Sequence, residues 1–486
     1  MGWSWYAGLA ASGLMSNIRG IIMLTNLNWL NEGATYPPPS EKKRIERYRL
    51  HEQLFLSQHP KVWEDVFREL ARRHKKNDHQ AETVINYQQL LSKKTADFIC
   101  GEPPTLETED DTDKLERLLD QLQWHTRLYE GFIDVSRYGN GVFKLIGKRL
   151  TQVSPLYWFP IVDPSDLKTI IQHVIAYPIT PDKDGNMTEL YVEVHEKGKI
   201  EQRIYGYRAD NGEIGKLKSQ KVERTNLDDF AVQVLTNVTH SGDIYGIDDY
   251  AIINSIVAKI MWRLHCADTI LDKHSEPSMS GPSSALEYDE RTGMYFLNLG
   301  NYFQRNKTDD PDVSYITWDG NLEANFKELD LLFQQLYTLT EMGQAFAEGG
   351  GGGEASSGTA LKLRMVSPRI KAARLTAINA AAVKQVVALL AKVNGISVDY
   401  DTLSITWNDG LPDDEVEEVN TLTTATGGKA IMSQYSALKR RGLTDEEVEA
   451  ELEQMRQEQA ASSPFPLGVV DQNAGTSGDG PGAGDE

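Results

Sequence analysis

The chain has 486 residues, with 50 Lys or Arg against 71 Asp or Glu and a formal net charge of -21. That balance excludes a protein that coats nucleic acid non-specifically, because binding by counterion release needs clustered cations over the contact surface; DNA passing through a repulsive channel stays compatible with it. A composition of 40% hydrophobic and 25% charged residues is globular, with length for roughly three domain-sized units, and the two cysteines, Cys100 and Cys266, leave no disulfide framework or thiolate zinc set, which fits a reducing cytoplasm.

The first 36 residues form an apolar arm. It lacks a basic n-region and is interrupted by Arg19, so it falls short of the ~20 clean apolar residues of a membrane span. Tyr6 also breaks the myristoylation pattern. Pro37, Pro38 and Pro39 end the arm, and SEKKRIERYRLHEQLFLS then reads as a helix capped by Ser40. A second helical run covers about 61–75. NYQQLLSKKTADFIC is a third, stopped by Gly101 and the Pro103, Pro104 pair, and 113–138 reads as one further helix with leucines at 115, 118, 119, 122 and 128.

From 139 to 238 the hydrophobic period changes from 3.6 to 2. TIIQHVIAYPI, TELYVEVHE and KIEQRIYGYRA alternate with DKDGN, EKGK and DNGEIG, the pattern of an antiparallel meander. Asp182, Asp184 and Asn186 resemble the start of a calcium loop, but no Glu completes it, and a hairpin turn is the preferred reading.

A helix follows over 248–273, with a broad apolar stripe that includes Ile253, Val257, Ile260 and Leu264. A Pro- and Gly-punctuated insert with two strands leads to another helix over 322–346. That helix runs into five consecutive glycines. Ordering them costs more backbone entropy than any other residue would, so the run reads as a loop that must move. From 355 to 398 there is no Asp or Glu but seven cations: Lys362, Arg364, Arg369, Lys371, Arg374, Lys384 and Lys392. ISVDYDTLSITW is strand-like. Beyond it come acidic helices, with Gly442 as a C-cap, Thr444 and Glu447 as a capping box, and a Ser/Pro/Gly-rich tail from 460 that lacks core-forming density.

Motifs for chemistry are missing. Gly428 and Lys429 are followed by Ala430, without the upstream glycine of a phosphate loop; the ten histidines have no metal spacing; and Ser283, Ser356 and Ser357 have no His/Asp partners that sequence reveals. No cofactor is expected, and the chain reads as no enzyme.

The order of these elements resembles the portal proteins of tailed bacteriophages, especially those of long-tailed phages infecting Gram-positive bacteria. PPPSEKKRIERYRLHEQLF, NYQQLLSKKTADFICGEPP, SGDIYGIDDYAIINSIVAKIMWRLHCADTIL, SSGTALKLRM and TATGGKAIMSQYSALKRRGLTDEEVEAELEQMRQEQ carry the resemblance over about 36–458. It implies an α+β portal fold with an α/β wing, paired stem helices, a small α/β clip and a helical crown, forming a ring of about twelve copies. Such a ring sits at the capsid vertex where double-stranded DNA is packaged and ejected. It docks the terminase motor and then the head-tail adaptor, within a shell of major capsid and scaffolding proteins and with no membrane. The implied location is the virion portal vertex, after assembly in the host bacterial cytoplasm.

Carried onto this chain, the wing is 37–247, the stem helices 248–274 and 322–347, and the clip 275–321. The tunnel loop is 348–358, the kinked basic helix 359–395 with Pro368 as its irregularity, the strand and crown helices 396–459, and the tail 460–486. Glu348, Gly349, Gly350, Gly351, Gly352, Gly353, Glu354, Ser356 and Ser357 then face DNA in the tunnel. Lys362, Arg364, Arg369, Lys371 and Arg374 have two readings, salt bridges between subunits to acids of 413–418 and 445–453, which is preferred, or contacts with DNA phosphates. Ile253, Val257, Ile260 and Leu264 are expected to pack partly against a neighbouring copy or the second stem helix. MYFLNLGNYF and VSYITW are expected to form one small sheet, with Tyr295, Phe296, Tyr302 and Phe303 docking partners. The competing readings are a packaging motor or nuclease, and another ring-forming head-tail connector.

Overall fold

The computed structural model describes residues 23–56, 84–109, 112–275, 279–280, 286–297, 314–315, 323–343, 365–408, 422–426, 432–441 and 443–462, with Arg68 and Arg72 as single positions. The apolar arm up to 22, the helical run near 61–75 apart from those two arginines, the glycine loop and the tail from 463 lie outside the described residues. The chain divides into two compact units, Met1–Leu411 and Pro412–Glu486.

In the first unit, helix α1 (Lys42–Leu56) is followed by α2 (Tyr87–Cys100), whose first turn is capped by the Asn86 side chain accepting from Gln89 N at 2.8 Å. The single helix expected over 113–138 is two, α3 (Thr112–Gln121) and α4 (Trp124–Tyr138), with Gln123 in the left-handed region at φ 53°. The break lets Leu115 and Leu119 on one side, and Trp124, Leu128 and Phe132 on the other, reach the same core.

Short β1 (Thr105–Glu107) precedes α3. Then β2 (Asn140–Ile146) pairs with β3 (Arg149–Val153) and with β9 (Val232–Thr236), while β4 (Trp158–Asp163), β5 (Asp166–Pro181), β6 (Met187–Glu196), β7 (Lys199–Arg208) and β8 (Glu213–Arg224) form a five-stranded antiparallel meander. Period-2 alternation puts Val174 and Ala176 of β5 in a core with Ile45 and Tyr48 of α1, and the intervening Ile175 in another with Trp158 and Tyr245. At the β5–β6 turn Asp182 Oδ1 accepts from the amides of Asp184 at 2.9 Å and Asn186 at 2.8 Å, so the side chain is used by the hairpin itself.

Helix α5 (Tyr250–Ser275) packs on α6 (Glu323–Leu339). Between them, β10 (Met279–Ser280) pairs with β13 (Ser314–Tyr315), and β11 (Leu286–Asp289) pairs with β12 (Met294–Leu297). The two segments expected to share one sheet therefore take different partners. For β12 the cause is local: Asp289 accepts from Arg291 N and Thr292 Oγ1, both at 2.9 Å, closing a hairpin onto the preceding strand.

Helix α7 (Val366–Asn394) runs unbroken for 29 residues to Gly395 at φ 82°. Pro368 lies in its first turn, where the missing N–H has no helical acceptor and the ring is tolerated. The expected strand over ISVDYDTLSITW shrinks to β14 (Ser404–Thr406), which pairs with β1, because Asp399 and Leu403 close a turn first. Leu375, Val383, Val386, Val387 and Leu390 of α7 complete the core built on α2, α4, β2 and β9.

In the second unit, α8 (Gln434–Arg440) is capped by Ser433. Helix α9 (Asp445–Ser462) opens on the expected capping box, with Thr444 N donating to Glu447 Oε2 at 2.9 Å and Glu447 N donating to Thr444 Oγ1 at 3.4 Å. Asp445 accepts from Tyr435 Oη at 2.6 Å and pairs with Lys439 at 2.6 Å, tying the two helices together. Helices and antiparallel sheets in separate runs make the chain an α+β protein.

Candidate functional site: an ionic junction at three helix ends

Two adjacent acids, Asp248 and Asp249, open α5, where carboxylates are favoured by the unpaired amides and the helix dipole. Asp248 is spent on the cap: its Oδ1 accepts from Ala251 N at 2.8 Å. Asp249 turns the other way. Its Oδ2 accepts from Ser136 Oγ of α4 at 2.7 Å and from Lys371 Nζ of α7 at 2.8 Å, and its Oδ1 accepts from Asn237 Nδ2 at 3.2 Å. Lys371 is 3% exposed, and its ammonium also donates to the Thr340 carbonyl at 3.3 Å, just past the end of α6. One buried cation thus joins the start of α5, the end of α6 and the first turns of α7.

The surroundings fix this junction. Glu341, at φ 58°, turns the chain out of α6 and pairs with the Arg374 guanidinium, one N–H lying at 3.2 Å. Asn379 bonds to both the N–H and the carbonyl of Thr236, at 2.7 and 2.9 Å, seating α7 on the end of β9. Ser92 Oγ shares a hydrogen bond with Tyr250 Oη at 2.8 Å, and burial pushes the Tyr250 phenol far above its ordinary range, so it keeps its proton. His51 lies against Arg137 O at 3.0 Å and Asp248 at 3.7 Å. Burial pushes the His51 imidazole down, against the pull of Asp248. Beside it Gly139 and Gly246 meet backbone to backbone: a Cβ on Gly139, at φ 87°, would lie 2.0 Å from the Gly246 carbonyl oxygen.

An isolated charge in such a place costs several kcal/mol, and the geometry offsets this with one ion pair and satisfied donors. The arrangement holds helix ends. Among known sequences, residues 230–464 match the profile of the family described as Phage portal protein, SPP1 Gp6-like, a stretch that contains α5, α6, α7 and Asp249, Thr340, Lys371 and Arg374. Over this stretch the chain is similar to the phage portal family. No curated protein matches the chain. Among solved structures, it is similar to a chain from the neck of an empty GTA particle computed with C6 symmetry, at 12% identity and a TM-score of 0.41, over 73% of this chain and 88% of that one. It is also similar to one from the neck of a native GTA particle computed with C12 symmetry, at 13% identity and a TM-score of 0.38, over 85% and 97%.

The residues singled out for a portal role fall in different places. Ile253, Val257 and Ile260 are fully buried and Leu264 partly so, against Leu329 and Leu336 of α6, Leu91 of α2 and Leu54 of α1, all within one protomer. Lys371 is shielded from solvent, with its ammonium held by Asp249. Lys371, Arg374 and Lys392 pair with Asp249, Glu341 and Asp228 of the same unit. Arg369 borders a groove beside Phe98 and Trp407. Tyr295 is 69% exposed on β12 with its ring tilted against Tyr288, centroids 5.0 Å apart, and Phe296 is paired in register with Glu287. Glu348, the five glycines, Glu354, Ser356, Ser357, Lys362, Arg364, Tyr302 and Phe303 lie outside the described residues.

Sequence reading passed over Asp249, Thr340, Ser136 and Asn379. Only one signal was present: a second acid at the start of α5, where a single cap residue is enough.

Proposed function

We propose that the chain is a portal protein, forming the ring-shaped channel at one capsid vertex through which double-stranded DNA is packaged and ejected. The observation that carries this reading is the family match over 230–464. Its physical companion is the pair α5 and α6, two long helices that flank a small β insert and are rooted in the Asp249–Lys371–Thr340 junction. In this reading 37–247 is the wing, α5 and α6 are the stem, and 275–321 is the clip. Tyr295 and its neighbours on the clip dock the terminase motor and later the head-tail adaptor. The loop 348–358 lines the tunnel, and 396–459 supplies the crown. The ring has about twelve copies, carries no cofactor and turns over no substrate, and it resides at the portal vertex of the virion after assembly in the host cytoplasm.

Projection imaging of the purified chain tests this. Rings with a central hole are expected, with a native mass near twelve copies. A uniformly monomeric preparation at every concentration and salt would end the reading, and robust ATP turnover without a partner would favour a packaging motor instead.

A further inference from the structure

Helix α7 is apolar enough that an 18-residue window has a mean hydropathy of 1.3, yet only 39% of that window is buried. Of its cations in this part, Lys371 and the partly exposed Arg374 pair with Asp249 and Glu341 of the same protomer, and Arg369 borders the groove at the N-terminal end. From 366 to 381 every exposed position is uncharged: Val366, Ser367, Ile370, Ala373, Ala377, Ile378 and Ala381. Ile370 is 59% exposed and Ile378 45%. Ala373, Ala377 and Ala381 recur every four residues, a ridge of small side chains that allows another helix to approach closely. At its N-terminal end the face widens into a groove of about 480 Å³ lined by Phe98, Val366, Ile370 and Trp407.

A second uncharged face occurs on α6. From Leu331 to Leu339 the sequence LLFQQLYTL carries no charge, and Leu331, Gln334, Gln335, Thr338 and Leu339 are exposed there, Leu331 at 60%. Copies of a chain with net charge -21 repel one another, so they associate most readily where both surfaces lack charge. Two different faces of one chain that fit each other make a head-to-tail contact, which closes into a ring when the rotation per copy divides a full turn.

We infer that the alanine-ridged face of α7 docks the 331–339 face of α6 in a second copy of this chain. The inference rests on the ring reading above and adds which surfaces make the ring. The test joins Ala377→Cys to Gln335→Cys under mild oxidation; Cys100 and Cys266 are buried and contribute little background. Ladders of linked copies are expected from the double variant and none from either single variant. A cross-link confined to one copy, or rings of normal mass without any cross-link, would overturn the inference while leaving the ring reading intact. Ala377→Asp gives a second readout: with unchanged circular dichroism and monomer melting, its assembled fraction should fall about tenfold or more, because each contact would bury an unpaired carboxylate. Undiminished rings from that variant would also overturn the inference, and a wild-type chain that forms no rings would remove both readings.

Discussion

Helices α5 and α7 are nearly equal in length, at 26 and 29 residues, and similarly apolar, yet the protomer treats them differently. The stripe of α5 is sealed by α6, α2 and α1, with Lys259 and Arg263 closing its rim onto Glu328 at 2.9 and 2.8 Å. Helix α7 buries one side among Leu375, Val383 and Val386 and leaves the other side bare. Apolar content alone therefore does not reveal what a long helix is for. The charge of its uncovered positions is more telling: those of α5 include Lys259 and Asp268 beside Ile252 and Leu271, whereas those of α7 from 366 to 381 are all uncharged.

The comparison breaks most sharply where the two helices touch. Lys371→Met would leave Asp249 buried without its cation and should cost about 3–5 kcal/mol in denaturant unfolding. Adding Asp249→Asn should recover part of the loss, a coupling that independent sites would not show. Next in size, Ile260→Ala on α5 should cost about 2–4 kcal/mol by emptying a fully buried site.

Acidification separates the helices in another way. The folded state holds His51 below its ordinary pKa, so it binds fewer protons than the unfolded chain; the stability this contributes is complete above about pH 6.5 and is lost as the pH falls. His51 faces Asp248, Arg47 and Arg137 at the root of α5, whereas α7 contains no histidine. Protection factors from hydrogen exchange should therefore fall between pH 7 and pH 5 at the start of α5 more than along 380–390 of α7, and His51→Gln should abolish the difference. The smallest effect on the protomer is expected from Ile378→Ala, within about 0.5 kcal/mol in unfolding of dissociated chain. Its effect should appear in assembly. An equal loss of stability from Ile378→Ala and Ile260→Ala would erase the contrast.

Much of this contrast could be read in the amino acids. The 3.6 period announced α5, α6 and α7, and the change to period 2 announced the meander, because both patterns report one buried face. The break at Gln123 could not be read, since neither Gly nor Pro marks it and the cause is a core shared by α3 and α4. Nor could the pairing of β1 with β14, about 300 residues apart, since each is three residues long. The segregated cations were visible but their partners were not. Asp249 lies 122 residues before Lys371, and only the folded chain brings the carboxylate to the ammonium.

The ion pair between Glu341 and Arg374 has one further consequence. Together with the Lys371–Thr340 bond it fastens the chain on either side of residues 344–364, so the two ends of that stretch are held by groups that do not belong to it. Closing a loop costs only about 0.6 kcal/mol more for each doubling of its length. The junction thus fixes where Glu341 and Lys371 stand whatever sequence lies between them, and it carries the closure cost of that interval.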